Sequence, residues 1–367
     1  MKTLNFVRNG RITVSAIALT LASAFGFADS GAVFTMTNEA AGNKVVAYAR
    51  AANGTLSLVN SYSTGGKGTG AGLGSQGAIQ ISPDGKWLLA VNGGTNNVSI
   101  FAIKQSGLVL VDKSISGGTT PISLTIHDKL VYVLNAGGTG SIQGFTLADN
   151  GHLRWLSNSH RSLSGNAVAG AEVAFSPEGD LLLVSEKASN KLSAYTVDAN
   201  TGLVTSQVAQ NSSGAVPFGF VFGKRGRVYV SEAPGSAVSS YSTWDDGTLV
   251  PITPSLGDTQ AAACWVATTP NGKFVYAANA ASGTVSGYEV HPDGSLSLLN
   301  ANGQTGIVGA GSAVIDLAIS QNGKYLYVVA RNFGGVYEFA IGANGGLTPI
   351  GNTSGLPTSS TTGIAAW

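Results

Sequence analysis

One phrase recurs along this chain: a Pro-Asp-Gly-like turn, an apolar strand ending on a polar residue, a short gap, a second alternating strand and a Gly-x-Leu signal. It is clearest where Ser82-Pro83-Asp84-Gly85 leads Trp87-Leu88-Leu89-Ala90-Val91-Asn92 and resumes as Val98-Ser99-Ile100-Phe101. Phe274-Val275-Tyr276-Ala277-Ala278-Asn279 with Val285-Ser286-Gly287-Tyr288 nearly repeats it. Further copies occupy residues 128–145, 176–195, 228–241 and 325–339, and a partial one opens at 33–48. With Asn38, Asn92, Asn135, Glu186, Glu232, Asn279 and Ala330 taken as equivalent, the intervals are 54, 43, 51, 46, 47 and 51 residues, about 49 on average. A unit of that length cannot bury both faces of its sheet alone, and stacking copies around an axis supplies the missing partners; roughly 40 to 50 residues is the span of a four-stranded propeller blade.

The spacing therefore predicts an all-β fold, a seven-bladed β-propeller of four-stranded antiparallel blades. Strand alternation is regular and no segment after residue 28 carries helical periodicity. The first copy lacks an innermost strand, and residues 362–367 are the natural donor: pairing them beside 33–38 closes the ring and removes two exposed sheet edges. The 51 glycines suit the many tight reversals of such a ring rather than disorder.

Residues 1–28 read as a secretory signal peptide. Lys2, Arg8 and Arg11 precede a charge-free stretch at 12–24 that is too short to span a bilayer, and small residues follow it, with cleavage expected after Ala28. Residues 29–367 then form one propeller domain, secreted or periplasmic, with no membrane insertion once the leader is removed. Only 11% of residues are charged and the net charge is +1, which provides no footprint for nucleic acid. Cys264 is the only cysteine, so no intrachain disulfide can staple the fold.

In a propeller the starts of the inner strands and the ends of the second strands meet at one mouth of the axial channel, the default place for a small-molecule site. The alignment puts Gln76, Glu172, Trp265 and Asp316 at inner-strand starts, and Asn92, Asn135, Glu186, Glu232, Asn279 and Arg331 at second-strand ends. Glu172 and Glu186 share a blade and are expected to converge; two close carboxylates would raise one pKa and supply a general acid or base. Arg331 would steady an anionic substrate, and Trp265 could stack on a ring. The plainer alternative is that Glu and Asn after a strand cap turns through side-chain to backbone bonds. The acids and asparagines could also hold Ca²⁺, although no spacing specifies it, and no His pair has zinc spacing. No metal or other cofactor is expected. Cys264 reads as buried packing.

The Pro-Asp-Gly-Lys-x-Leu-x-x-Val-Asn phrase followed by Val-Ser-x-Phe/Tyr, at 83–101 and in variant form at 270–288, resembles the seven-bladed lactonase family. That family includes propeller-type 6-phosphogluconolactonases and 3-carboxy-cis,cis-muconate lactonizing enzymes. The resemblance covers about 32–367 and implies a lactonase-like activity on a sugar-acid or carboxymuconate-type lactone. Family enzymes carry an Arg-His pair at an inner-strand start and Glu at the end of the next strand. Glu186 and Glu232 match the Glu, while Ala171-Glu172 and Phe218-Gly219 stand where the pair would be. A non-catalytic binding propeller of the cell envelope is the alternative the residues allow.

Overall fold

Each repeat folds as its turn chemistry and alternation dictate. In the computed structural model, which describes residues 31–367 apart from residue 206, seven antiparallel sheets stand as blades around one axis. The leader expected at 1–28 lies outside the described residues. Blade 2 shows the unit in full: Ile79–Ile81, Trp87–Asn92, Asn97–Lys104 and Gly107–Ile115 pair in chain order from the axis outward. The inner strands of blades 3 to 7 are Pro121–His127, Gly170–Phe175, Pro217–Phe222, Ala263–Thr268 and Val314–Ile319. Their second strands are Leu130–Asn135, Leu181–Glu186, Arg227–Glu232, Phe274–Asn279 and Tyr325–Ala330. The fourth strand is broken in blades 3 and 6, where Leu153–Trp155 and Arg161–Ser162, and Leu296–Leu298 and Gly306–Ile307, pair separately with the third.

The Pro-Asp-Gly turn is held by its own side chains. Ser82 Oγ donates to Asp84 Oδ1 at 2.7 Å and accepts the Trp87 N–H at 2.9 Å; Ser320, Asn322 and Tyr325 repeat the arrangement in blade 7. Gly85 takes φ +70°, a conformation costly for any residue with a Cβ. Every third strand contributes one aromatic to the interior, Tyr48, Phe101, Phe145, Tyr195, Tyr241, Tyr288 and Phe339, and none is more than 2% exposed. Burying each removes enough apolar surface for roughly 1.5–3 kcal/mol. Neighbouring blades also lock where the glycine of Gly-x-Leu lies against the first residue of the previous blade's second strand: Gly151 on Trp87, Gly345 on Phe274 and Gly54 on Tyr325. A Cβ at these glycines would collide with the ring.

Blade 1 is completed from both ends of the chain. Ala32–Met36, Lys44–Arg50 and Leu56–Ser63 are joined on the axis side by Thr362–Ala366, with Val33 opposite Ala366, Thr35 opposite Ile364 and Met36 opposite Thr362. Thr35 Oγ1 donates to the Gly363 carbonyl at 2.6 Å, and the Trp367 N–H to the Ala32 carbonyl at 2.8 Å. The inner strand of blade 7 then packs beside this closing strand, which packs beside blade 2. Deleting residues 362–367 should expose the Ala32–Met36 edge and lower the melting temperature by roughly 10 °C or more. An unchanged melting curve by calorimetry would show that the ring does not depend on its tail.

Candidate functional site

A strand's side chains alternate between its two faces, and this decides where the predicted site residues go. Ser185 faces blade 5, its Oγ bonded to the Phe218 carbonyl at 2.5 Å, so Glu186, the next residue, faces blade 3. Glu186 is fully buried and accepts bonds from Ser164 N–H at 3.0 Å, Ser193 Oγ at 2.9 Å, Ser189 Oγ at 2.8 Å, Gln207 Nε2 at 3.3 Å and the Ser164 hydroxyl. Glu172 pairs with Ser185 and shares its face, and its Oε2 accepts the Phe220 N–H at 2.6 Å. The expected convergence of Glu172 and Glu186 is therefore not what the fold makes: they lie on opposite faces of the blade 4 sheet.

The other second-strand ends follow Glu186 into the corners between blades. Glu232 accepts from Gly214 N–H at 2.7 Å, Ser239 Oγ at 2.6 Å and Ser212 Oγ at 3.2 Å, all through Oε1. Asn92 donates to Ser99 Oγ at 2.8 Å and accepts from Asn43; Asn279 donates to Ser286 Oγ at 2.8 Å; Asn135 donates to the Ser116 carbonyl at 3.1 Å. In four blades the partner is the serine seven residues on, a repeated corner brace between the second and third strands. All these residues are fully buried, so Asn92, Asn135, Asn279, Glu186 and Glu232 form the walls behind the mouth rather than a ring open to it.

The mouth itself is crossed by the segment between blades 1 and 2. Gln76, expected to begin an inner strand, instead reaches blade 6: its amide accepts the Val266 N–H at 2.9 Å and donates to the Val266 carbonyl at 2.9 Å, as a peptide group would in a sheet. Its own N–H donates to the Ala171 carbonyl of blade 4 at 3.2 Å. Ser75 Oγ donates to the Ile122 carbonyl of blade 3 at 2.7 Å, and the Trp265 indole N–H donates to the Ser75 carbonyl at 2.8 Å. The blade 2 inner strand is consequently only Ile79–Ile81. Trp265 is 7% exposed, edge-on to Phe218 with centroids 4.9 Å apart, and its N–H holds this strap.

Two cations lean on the strap from the rim. Lys187 Nζ donates to the Gly74 carbonyl at 2.5 Å and lies 4.8 Å from the Phe218 ring centroid. The Arg331 guanidinium occupies the space where Gly72 lacks a Cβ. Gly72 and Gly74 are two residues apart, so the two cations meet the strap within about 7 Å of each other. Among the described residues neither takes part in an ion pair. Burial lowers the Lys187 pKa, while the neighbouring Cys264 thiol is pushed up to about 12 by burial and is inert as a nucleophile. Lys187 escaped the sequence reading because Glu186 drew attention to the strand end. The signal was available: the positions following the second strands are Glu39, Gly93, Ala136, Lys187, Ala233, Ala280 and Arg331, and only two of them are cationic.

Beneath the strap two acids remain. Asp316 sits at a β-bulge of blade 7 with φ +56°, its Oδ1 accepting the Leu317 N–H at 2.9 Å, and the Ile364 N–H of the closing strand also acts on its carboxyl. Burial raises its pKa to about 8. Burial also holds Glu172 well above the usual carboxylate range, and the Asp316 charge adds to the shift. Among the described residues no three His, Cys, Asp or Glu side chains gather as a metal site.

A raised folded-state pKa means that native Asp316 keeps a proton the unfolded chain has released, so its contribution is full below the unfolded value of 3.8 and is lost as pH rises through about 8. Asp316→Asn keeps the shape and tolerates positive φ. Its melting temperature relative to wild type should therefore rise by roughly 4 °C between pH 5 and pH 8. An offset independent of pH would mean that Asp316 is ionised in the fold.

The comparisons with known proteins agree with this architecture. The family model described as lactonase, seven-bladed β-propeller, matches residues 25–169 and 156–242. No curated protein sequence matches the chain. Similar solved structures include a candidate 6-phosphogluconolactonase from Bacteroides uniformis, 18% identical with a TM-score of 0.74 over 92% of this chain and 99% of that one. Another from Bacteroides fragilis is 20% identical with a TM-score of 0.69 over 92% and 98%. A periplasmic gluconolactonase from Pseudomonas aeruginosa is 15% identical with a TM-score of 0.72 over 92% and 98%. At these identities the structural likeness is one of fold. With seven blades, a tail-closed ring and a family match over more than half its length, the chain belongs to the seven-bladed β-propeller lactonases.

Proposed function

We propose that this protein hydrolyses an anionic lactone of the sugar-acid class at the strapped mouth, outside the cytoplasm. The observation that carries the reading is the pair of rim cations, Lys187 and Arg331, that meet the same strap and, among the described residues, take part in no ion pair. A substrate carboxylate or phosphate would be held by the Arg331 fork. The Lys187 amine, its pKa lowered by burial, takes a proton from water as the water oxygen bonds to the lactone carbonyl carbon. The same proton then passes to the ring oxygen as the carbon–oxygen bond breaks, leaving a hydroxy acid. Glu172 is buried against blade 5, bonded to the Phe220 N–H, while Glu186 and Glu232 act as positioning residues that brace the corners carrying the rim. Export rests on the Lys2, Arg8 and Arg11 leader. The Pseudomonas aeruginosa relative is described as periplasmic.

One observation favours the second reading, a non-catalytic binding propeller: Gln76 and Trp265 tie the strap across the axis. Steady-state kinetics on glucaro-1,4-lactone, which keeps one free carboxylate, and on neutral gluconolactone separates the two. The hydrolase reading expects a preference for the acidic lactone, a KM raised about tenfold or more in Arg331→Gln, and a kcat lowered about 100-fold in Lys187→Met. It also expects kcat to rise with pH through a pKa below that of an ordinary lysine. Turnover no faster than the uncatalysed rate would favour the binding reading, and turnover untouched by both substitutions would remove Lys187 and Arg331 from the site.

A further inference from the structure

The repeat is broken in blade 5, and every break adds positive charge in one place. Five of the six second strands that follow a hairpin from their own inner strand begin with an apolar residue, Trp87, Leu130, Leu181, Phe274 and Tyr325; the sixth begins with Arg227. The turn before it reads Gly223-Lys224-Arg225-Gly226 where blade 2 has Ser82-Pro83-Asp84-Gly85 and blade 6 has Thr269-Pro270-Asn271-Gly272. Arg225 thereby stands where Asp84 and Asn271 brace those turns, and Lys224 where they carry proline. These turns lie at the ends of the inner strands, whereas the strap crosses their starts, so the altered turn is on the face of the propeller opposite the mouth.

At that face the turns of blades 5, 6 and 7 enclose a cleft of 620 Å³. Lys224, Arg225, Arg227 and Lys273 line it, against a single acid, Glu289. Among the described residues none of the four cations is in an ion pair. Arg227 is part-buried and lies against Gly294, at the position where other blades press an aromatic ring onto the neighbouring glycine. No side chain fits between them, so the guanidinium stem is positioned by packing before any ligand arrives. The buried Tyr229 and Phe274 form the floor. A volume of this size suits a mono- or disaccharide-sized molecule. Four unneutralised cations around it suit tetrahedral oxyanions, which arginine forks bind bidentately. The local charge is unusual for a chain whose net charge is only +1.

We propose that this second cleft binds a small molecule carrying phosphate or sulfate groups, independently of the mouth. The test is calorimetric titration of the full chain with inorganic pyrophosphate and with a disulfated disaccharide, the unsulfated disaccharide serving as the uncharged control. At least one anion should bind and the control should not, which also tells phosphate from sulfate recognition. Arg227→Gln with Lys273→Gln should weaken binding at least tenfold, and Arg225→Gln, on an exposed turn that leaves the packing intact, about threefold or more. Glu289→Gln, which removes the lone acid, should tighten it. Lys187→Met should leave it unchanged, because that residue belongs to the mouth. Absence of heat from both anions at low ionic strength, or equal affinity in wild type and in the folded Arg225→Gln and Glu289→Gln variants, would overturn the assignment.

Discussion

The arrangement at the mouth depends on one side-chain amide that crosses the propeller axis. Gln76 makes both hydrogen bonds of a strand pair to Val266, on a blade almost diametrically removed in the ring, while its backbone N–H bonds to blade 4, the Ser75 hydroxyl to blade 3 and the Ser75 carbonyl to blade 6. Buried amide groups are costly without partners, and here donor and acceptor are both matched. The strap is consequently fixed to several blades at once and gives the rim residues a common surface. Lys187 and Arg331, from blades 4 and 7, are brought near each other because both rest on it.

This organisation requires a closed ring. The tail strand Thr362–Ala366 fills the axis side of blade 1 and stands between the inner strands of blades 7 and 2. Without it the blades could splay, and distances across the axis would no longer be defined. The seam is also where Glu338 of blade 7 lies buried, its pKa raised to about 7 by burial while the Leu56 N–H of blade 1 offsets part of the shift. The closure thus carries a titratable group as well as apolar packing.

The fold was legible because its determinants are local and repeated. Ser82-Pro83-Asp84-Gly85 specifies a turn, alternation specifies a two-faced strand, and a missing first strand points to the tail. The site was less legible for two reasons. Whether Glu186 faces the mouth or a corner is settled by parity along the strand, and the bulge that precedes Glu172 changes the register by which its neighbour would be judged. The route of the Gly-rich segment is also set by long-range partners, since nothing near Gln76 in the chain announces Val266. The readable functional signals were departures from the repeat: Lys187 and Arg331 where other blades carry small residues or an acid, and Arg227 where they carry an apolar one. A propeller repeats its packing solution at every blade, so a charge that interrupts it calls for a reason beyond packing.

The central claim, that Lys187 and Arg331 at the strapped mouth seat the two ends of an acidic lactone, is tested most directly by a crystal structure of the full chain soaked with glucarate, a product-like dicarboxylate. One glucarate carboxylate should lie within hydrogen-bond distance of the Arg331 guanidinium and the other, equivalent to the former lactone carbonyl, beside the Lys187 amine, with the Gln76–Val266 bonds intact. Glucarate bound elsewhere on the propeller while the mouth stays without it, or Lys187 and Arg331 turned away from each other around a bound ligand, would contradict it.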